Sequence, residues 1–146
     1  MKTRMISLVC IFLFTVVLTV GCAPKEFHPE GTWVNEQQVP QKEIDTADGV
    51  WTQYKQTSDT SVYCSGTLEV ISQWTDPEGN VWRKVLSTLT LPEVYKGNKV
   101  AVLQKYSMNG TVKESVWVDA DLNNLVFPIE IDASKPHYEV YNRLKE

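Results

Sequence analysis

Residues 99–119 read KVAVLQKYSMNGTVKESVWVD, and Asn109-Gly110 at their centre decides how the rest of the chain is read. A type I′ turn needs positive φ at both central residues, and Asn-Gly tolerates that, so strands over 99–108 and 111–119 are expected to fold back on each other. Their register sets Lys105 opposite Glu114, Leu103 opposite Val116 and Val102 opposite Trp117. Both faces of the hairpin then carry apolar side chains, which a sheet with one face in water does not predict. Either another sheet covers the second face, or that face lines a cavity, or the register is one residue out.

Outward from the hairpin, Val, Ile, Thr, Tyr and Trp recur in short runs separated by turn-forming clusters such as Asp76-Pro77-Glu78-Gly79-Asn80 and Lys96-Gly97-Asn98. The spacing predicts strands near 32–36, 49–56, 61–74, 81–90, 99–108, 111–119, 125–131 and 137–144. In the longest run Val62, Cys64, Gly66, Leu68, Val70 and Trp74 share one face, and Ser61, Ser65, Thr67, Glu69 and Gln73 share the other. Only 34–48 leaves room for helix, and Pro40, Asp45, Asp48 and Gly49 cut it short. No internal repeat appears, which excludes solenoids and propellers. The expected fold is therefore all-β, an antiparallel meander of about eight strands, closed as an up-and-down barrel or packed as a β-sandwich.

The first 21 residues differ in kind. Lys2 and Arg4 precede an uncharged apolar run from Met5 to Val20, and Gly21-Cys22 ends it. This order resembles a bacterial lipoprotein signal, in which a small residue fits the peptidase cleft and the cysteine thiol takes a diacylglyceryl group. The resemblance implies a signal peptide over 1–21, a lipidated Cys22 at the head of a tether over 22–30, and one domain over 31–146. The apolar run alone also suits a short transmembrane anchor. Ala23 after the cysteine resembles the sorting choice for the outer membrane of a two-membrane cell, facing the periplasm. Removing the leader takes two basic residues from a chain whose formal net charge is already −4, and no Lys/Arg-rich run remains. Nucleic acid is excluded as a partner on that ground, and acyl chains must do the membrane anchoring. Cys10 goes with the leader and Cys22 is lipidated, so Cys64 stands alone as a small buried side chain with no basic neighbour to activate it.

Gly31-Thr32-Trp33 at the head of the meander and Tyr138-Glu139-Val140-Tyr141-Asn142-Arg143 at its tail resemble the lipocalin-type or calycin barrels. The resemblance implies that Trp33 plugs one end of the barrel and that Arg143, brought beside it by closure, lies across the indole as a cation–π pair. Tyr63-Cys64-Ser65-Gly66 also resembles, more distantly, the Tyr-x-Cys stretch of periplasmic lysozyme-inhibitor lipoproteins, without their disulfide partner or inhibitory loop.

Catalytic chemistry is sparse. His28 and His137 fall in no metal-ligand spacing, and neither a G-x-S-x-G elbow nor a phosphate-binding glycine loop occurs. Asp119, Asp121, Asn123 and Glu130 match positions 1, 3, 5 and 12 of a calcium-loop template, but position 6 is Asn124 and the flanks are strand-like. No cofactor and no catalysis is expected. Five tryptophans are the remaining pointer, because Trp supplies apolar area with a polar tip in ligand cavities. Trp74, Val102 and Trp117 are the candidate wall of a site for a small apolar ligand. The competing expectation is an envelope interaction or scaffolding protein with a filled core, working through its surface.

Overall fold

The computed structural model describes residues 26–145, so the leader, Cys22 and Ala23 lie outside the described residues. Eight antiparallel strands, each paired with its neighbours in sequence, close into one barrel. They are β1 (Gly31–Val34), β2 (Lys42–Asp45), β3 (Val50–Tyr54), β4 (Cys64–Thr75), β5 (Val81–Leu91), β6 (Lys99–Tyr106), β7 (Val112–Asp119) and β8 (Tyr138–Arg143). The fold is the lipocalin-like up-and-down barrel, not the sandwich, because β8 returns to β1 with Trp33 opposite Arg143 and Val34 opposite Asn142.

The β6–β7 register is the one the sequence predicts, with Lys105, Leu103 and Val102 facing Glu114, Val116 and Trp117. The turn that joins them is different. Only Gly110 takes a positive φ, 71°, and Asn109 does not. The Gly110 N–H donates to the Ser107 carbonyl, while the Asn109 side-chain oxygen accepts from both the backbone N–H and the hydroxyl of Thr111. One left-handed glycine and one asparagine side chain thus close the turn without two left-handed residues.

Nor does a second sheet cover the outer face of the hairpin. Ala101 and Leu103, which point away from the barrel axis, are 0% and 2% exposed. The segment 120–137 runs over this side, with Phe127 beside Lys84 and with Val126, Phe127 and Pro128 against Val118. The strand expected over 125–131 does not form there. Pro128 lacks a ladder donor, and Ile129 is 92% exposed, so the segment works as an irregular cover. The count of eight is made up by β2, which falls inside 34–48, the only stretch that left room for helix.

A β-bulge corrects the reading of the longest run. Val70 pairs with Val85 but Ser72 pairs with Lys84, so Ile71 is an extra residue in β4. The bulge reverses the alternation beyond it. Trp74 therefore turns to the outside, 41% exposed, and stacks on Trp82 with ring centroids 6.1 Å apart. Trp82 in turn donates its indole N–H to Asp76 at 2.7 Å.

One end of the barrel is sealed. Trp33 is fully buried, Tyr106 packs edge-on against it at 5.7 Å, and Phe27 packs edge-on against Tyr106 at 4.9 Å. The guanidinium of Arg143 lies 4.3 Å from the Trp33 ring and donates to the carbonyls of Gly110, Glu30 and His28. Gly31 makes room for this: its φ is 140°, and a Cβ there would stand 2.7 Å from an Arg143 nitrogen. The expected tether over 22–30 thus stops being a free linker by Phe27, where the chain is pinned across the sealed end.

Candidate functional site

The opposite end is open. A cavity of about 910 Å³ runs down from it, rimmed by the β1–β2, β3–β4, β5–β6 and β7–β8 connections. Strand register arranges its walls in layers, because residues paired across neighbouring strands point the same way. The upper layer is apolar: Val85, Val102 and Trp117 lie side by side on β5, β6 and β7. The His137 ring stacks on Trp117 at 3.7 Å between centroids. Leu68 and Leu89 continue this surface toward the rim, and Trp51 faces it from β3. Trp51 lies flat because Gly66 stands under it; a Cβ at Gly66 would come within 2.7 Å of the indole. The indole N–H of Trp51 donates to Ser87 Oγ at 2.7 Å, which is how a buried tryptophan nitrogen stays satisfied.

One layer deeper the wall is polar. Gln104, Ser115 and Glu139 sit in register on β6, β7 and β8, and all three line the cavity. Gln104 and Ser115 are more than nine-tenths buried. The Gln104 side-chain oxygen takes only a long 3.4 Å contact from Tyr106, and among the described residues neither the Gln104 amide nitrogen nor Ser115 Oγ has a protein partner. Arg83 continues the same row on β5. It is buried, and its Nε lacks a partner.

Facing this row from β2 are Glu43 and Asp45. Both pair with Lys113 Nζ, at 2.7 Å for Asp45, and Gln53 donates to the other oxygen of Glu43. Lys113 is 1% exposed and also lies 5.0 Å from Trp33 and 5.2 Å from Tyr141. Burial alone would lower the Lys113 ammonium, but the two carboxylates hold it firmly charged. One ammonium shared by two acids leaves the second acid reluctant to ionise. Burial and the Glu43 charge push Asp45 up to about 7, and its Oδ1 is buried without a partner. Glu139 is pushed up to about 8 by burial and then by Glu43, against the pull of Lys113 and of the neighbouring Tyr141 hydroxyl. Burial and Glu139 raise the Tyr141 phenol in turn.

Of the residues expected to line a site, Val102 and Trp117 lie in the cavity wall and Trp74 does not; the bulge at Ile71 has turned it outward. Trp33 and Arg143 meet at the sealed end. The calcium template is not assembled. Asp121 accepts the Asn123 N–H within an ordinary turn, Glu130 is exposed, and no three His, Cys, Asp or Glu side chains are placed to hold a metal ion among the described residues. Cys64 lines the cavity as a free thiol that burial pushes up from its ordinary value, consistent with an inert side chain. Sequence reasoning missed Glu43, Asp45, Gln104, Lys113, Ser115 and Glu139. The available signal was the polar member of each alternating pair in 113–119 and 138–143, which reads as solvent-facing until the outer face is known to be covered.

Against known proteins, no family model, no curated protein and no solved structure matches the chain significantly.

Proposed function

We propose that the protein is a lipid-anchored binding protein of the cell envelope that holds one small molecule inside its barrel. The observation that carries this reading is the cavity of about 910 Å³, apolar above and polar below, where a scaffolding protein would have a filled interior. The layering refines the ligand. A purely apolar molecule would leave Ser115, the Gln104 amide nitrogen and Glu139 unserved, whereas one with an apolar body and a polar end satisfies both depths. The anchoring half of the proposal rests on the leader order ending at Gly21-Cys22.

Mass spectrometry of natively purified protein tests the binding half, with a co-purified molecule of this build as the expected result. A Trp117→Ala variant should weaken its retention while the barrel still melts cooperatively, since a cavity wall loses ligand contact more than packing. Protein that carries nothing and shows no thermal shift with any amphipathic compound would return the assignment to a surface-acting scaffold. For the anchor, Cys22→Ala should abolish incorporation of labelled fatty acid, and persistent labelling would remove the lipoprotein reading.

A further inference from the structure

We propose that the polar end of the ligand is a cation, an amine or ammonium seated on the Glu139 carboxylate beside Ser115 and Gln104, with its apolar body against Trp117, Val85 and Val102. This rests on the small-molecule reading above and names the chemistry of the molecule held.

Charge accounting leads to it. Around the polar layer stand three carboxylates, Glu43, Asp45 and Glu139, and the ammonium of Lys113 is committed to the first two. Glu139 has no basic partner among the described residues. Lys113 approaches it only from the layer below, and Arg83 lies three strands away along the row, with its guanidinium 5.9 Å from Phe27 at the sealed end. Tyr141, on the same strand, offers a buried hydroxyl beside the Glu139 carboxyl. Higher in the cavity the charged side chains are Asp119 and Lys99 at the rim, with the His137 ring on Trp117. Glu43 and Asp45 already share the one ammonium, so Glu139 is left without a counter-charge of its own and an anionic ligand would find no free positive partner beside it. A cation supplies that counter-charge as Glu139 gives up its proton.

Two features beyond the acidic groups point to a ligand. Ser115 Oγ and the Gln104 amide nitrogen belong to buried residues that line the cavity, and neither is bonded to another of the described residues; such groups are costly unless a bound molecule or water serves them. Above them, Trp117 and Trp51 supply indole faces, the side chains that best attract a desolvated ammonium carbon shell. The raised Glu139 carboxyl fits the same picture, because a cation arriving near neutral pH would displace its proton.

Calorimetry with three matched probes tests the inference: 1-naphthylmethylammonium, 1-naphthalenemethanol and 1-naphthoate, which share one ring system and differ in charge. The ammonium is expected to bind about tenfold or more tightly than the alcohol, the difference one charge-assisted hydrogen bond supplies, and the naphthoate more weakly than either. Glu139→Gln should bring the ammonium down to the level of the alcohol and move the alcohol itself little, which also shows that the variant folds. Should the variant not fold, wild-type titrations at pH 7 in buffers of different ionisation enthalpy decide instead, with proton release on binding the ammonium but not the alcohol. Equal or stronger binding of the alcohol or naphthoate would overturn the cation and leave the small-molecule reading standing. Binding of none of the three, with nothing co-purified, would remove both.

Discussion

At the scale of single residues, two cations do opposite work in one barrel. Arg143 closes it from outside, donating to three carbonyls while lying on the Trp33 indole. Arg143→Ala should cost about 1–2 kcal/mol through the cation–π contact, and a double-mutant cycle with Trp33→Phe should return a coupling well above zero in chemical denaturation. Additive effects would mean that the guanidinium acts only through its carbonyls. Lys113 works from within, buried at 1% exposure between Glu43 and Asp45. Removing it as Lys113→Met leaves two buried acids uncompensated and should cost about 3–5 kcal/mol, far beyond an exposed ion pair. Adding Glu43→Gln and Asp45→Asn to that variant should recover most of the loss, and urea melts of both proteins would show whether the charges or the packing carry it.

At the scale of elements, legibility in the sequence followed what each strand hides. The β6–β7 hairpin was readable because its turn and both of its faces speak, whatever the turn type. β2 was not. Its inward residues are Glu43 and Asp45, charged because they serve Lys113, so Lys42-Glu43-Ile44-Asp45 lacks the apolar alternation that announces a strand. The reverse error put a strand at 125–131, where apolar residues cover a sheet face without joining a ladder. The polar layer of the cavity was illegible for the same reason as β2, since an inward Ser115 or Glu139 looks like a wet face. β4 adds a parity error, and its bulge makes a prediction. Deleting Ile71 removes only the extra residue, leaves Val70 opposite Val85 and Ser72 opposite Lys84, and should preserve a cooperative melt. Deleting Ser115 from the bulge-free β7 should instead flip Lys113 or Trp117 out of the barrel and unfold it. Circular-dichroism melts of the two deletions separate these outcomes. The bulge also has a second use: β3 pairs with β4 only as far as Thr67, so the strand beyond it has a free edge, and a kink there discourages pairing with another chain.

For the whole molecule, the buried acids set an unusual dependence on pH. The Glu139 carboxyl sits at about 8 when folded against an ordinary 4.5, and Asp45 at about 7 against 3.8. A raised folded value means that the folded state binds protons the unfolded chain has already released. The stability this gives is full below the ordinary carboxyl range and is lost as pH climbs through 7 and 8. Unfolding free energy should therefore fall between pH 5 and 8, by up to about 1.4 kcal/mol per pH unit for each proton so held. Glu139→Gln should flatten that slope, and a wild-type curve rising over the same range would contradict the assignment. The pinned N-terminal segment carries a different consequence. Phe27 to Glu30 cross the sealed end, so with Cys22 acylated as proposed, the few residues between lipid and plug reach at most about 17 Å. The barrel then stands upright on its leaflet like a cup on a table, its lip about 20 Å or more above the headgroups. On that proposed anchoring, cargo would reach such a vessel through water or from another protein's hand and not straight from the bilayer below it.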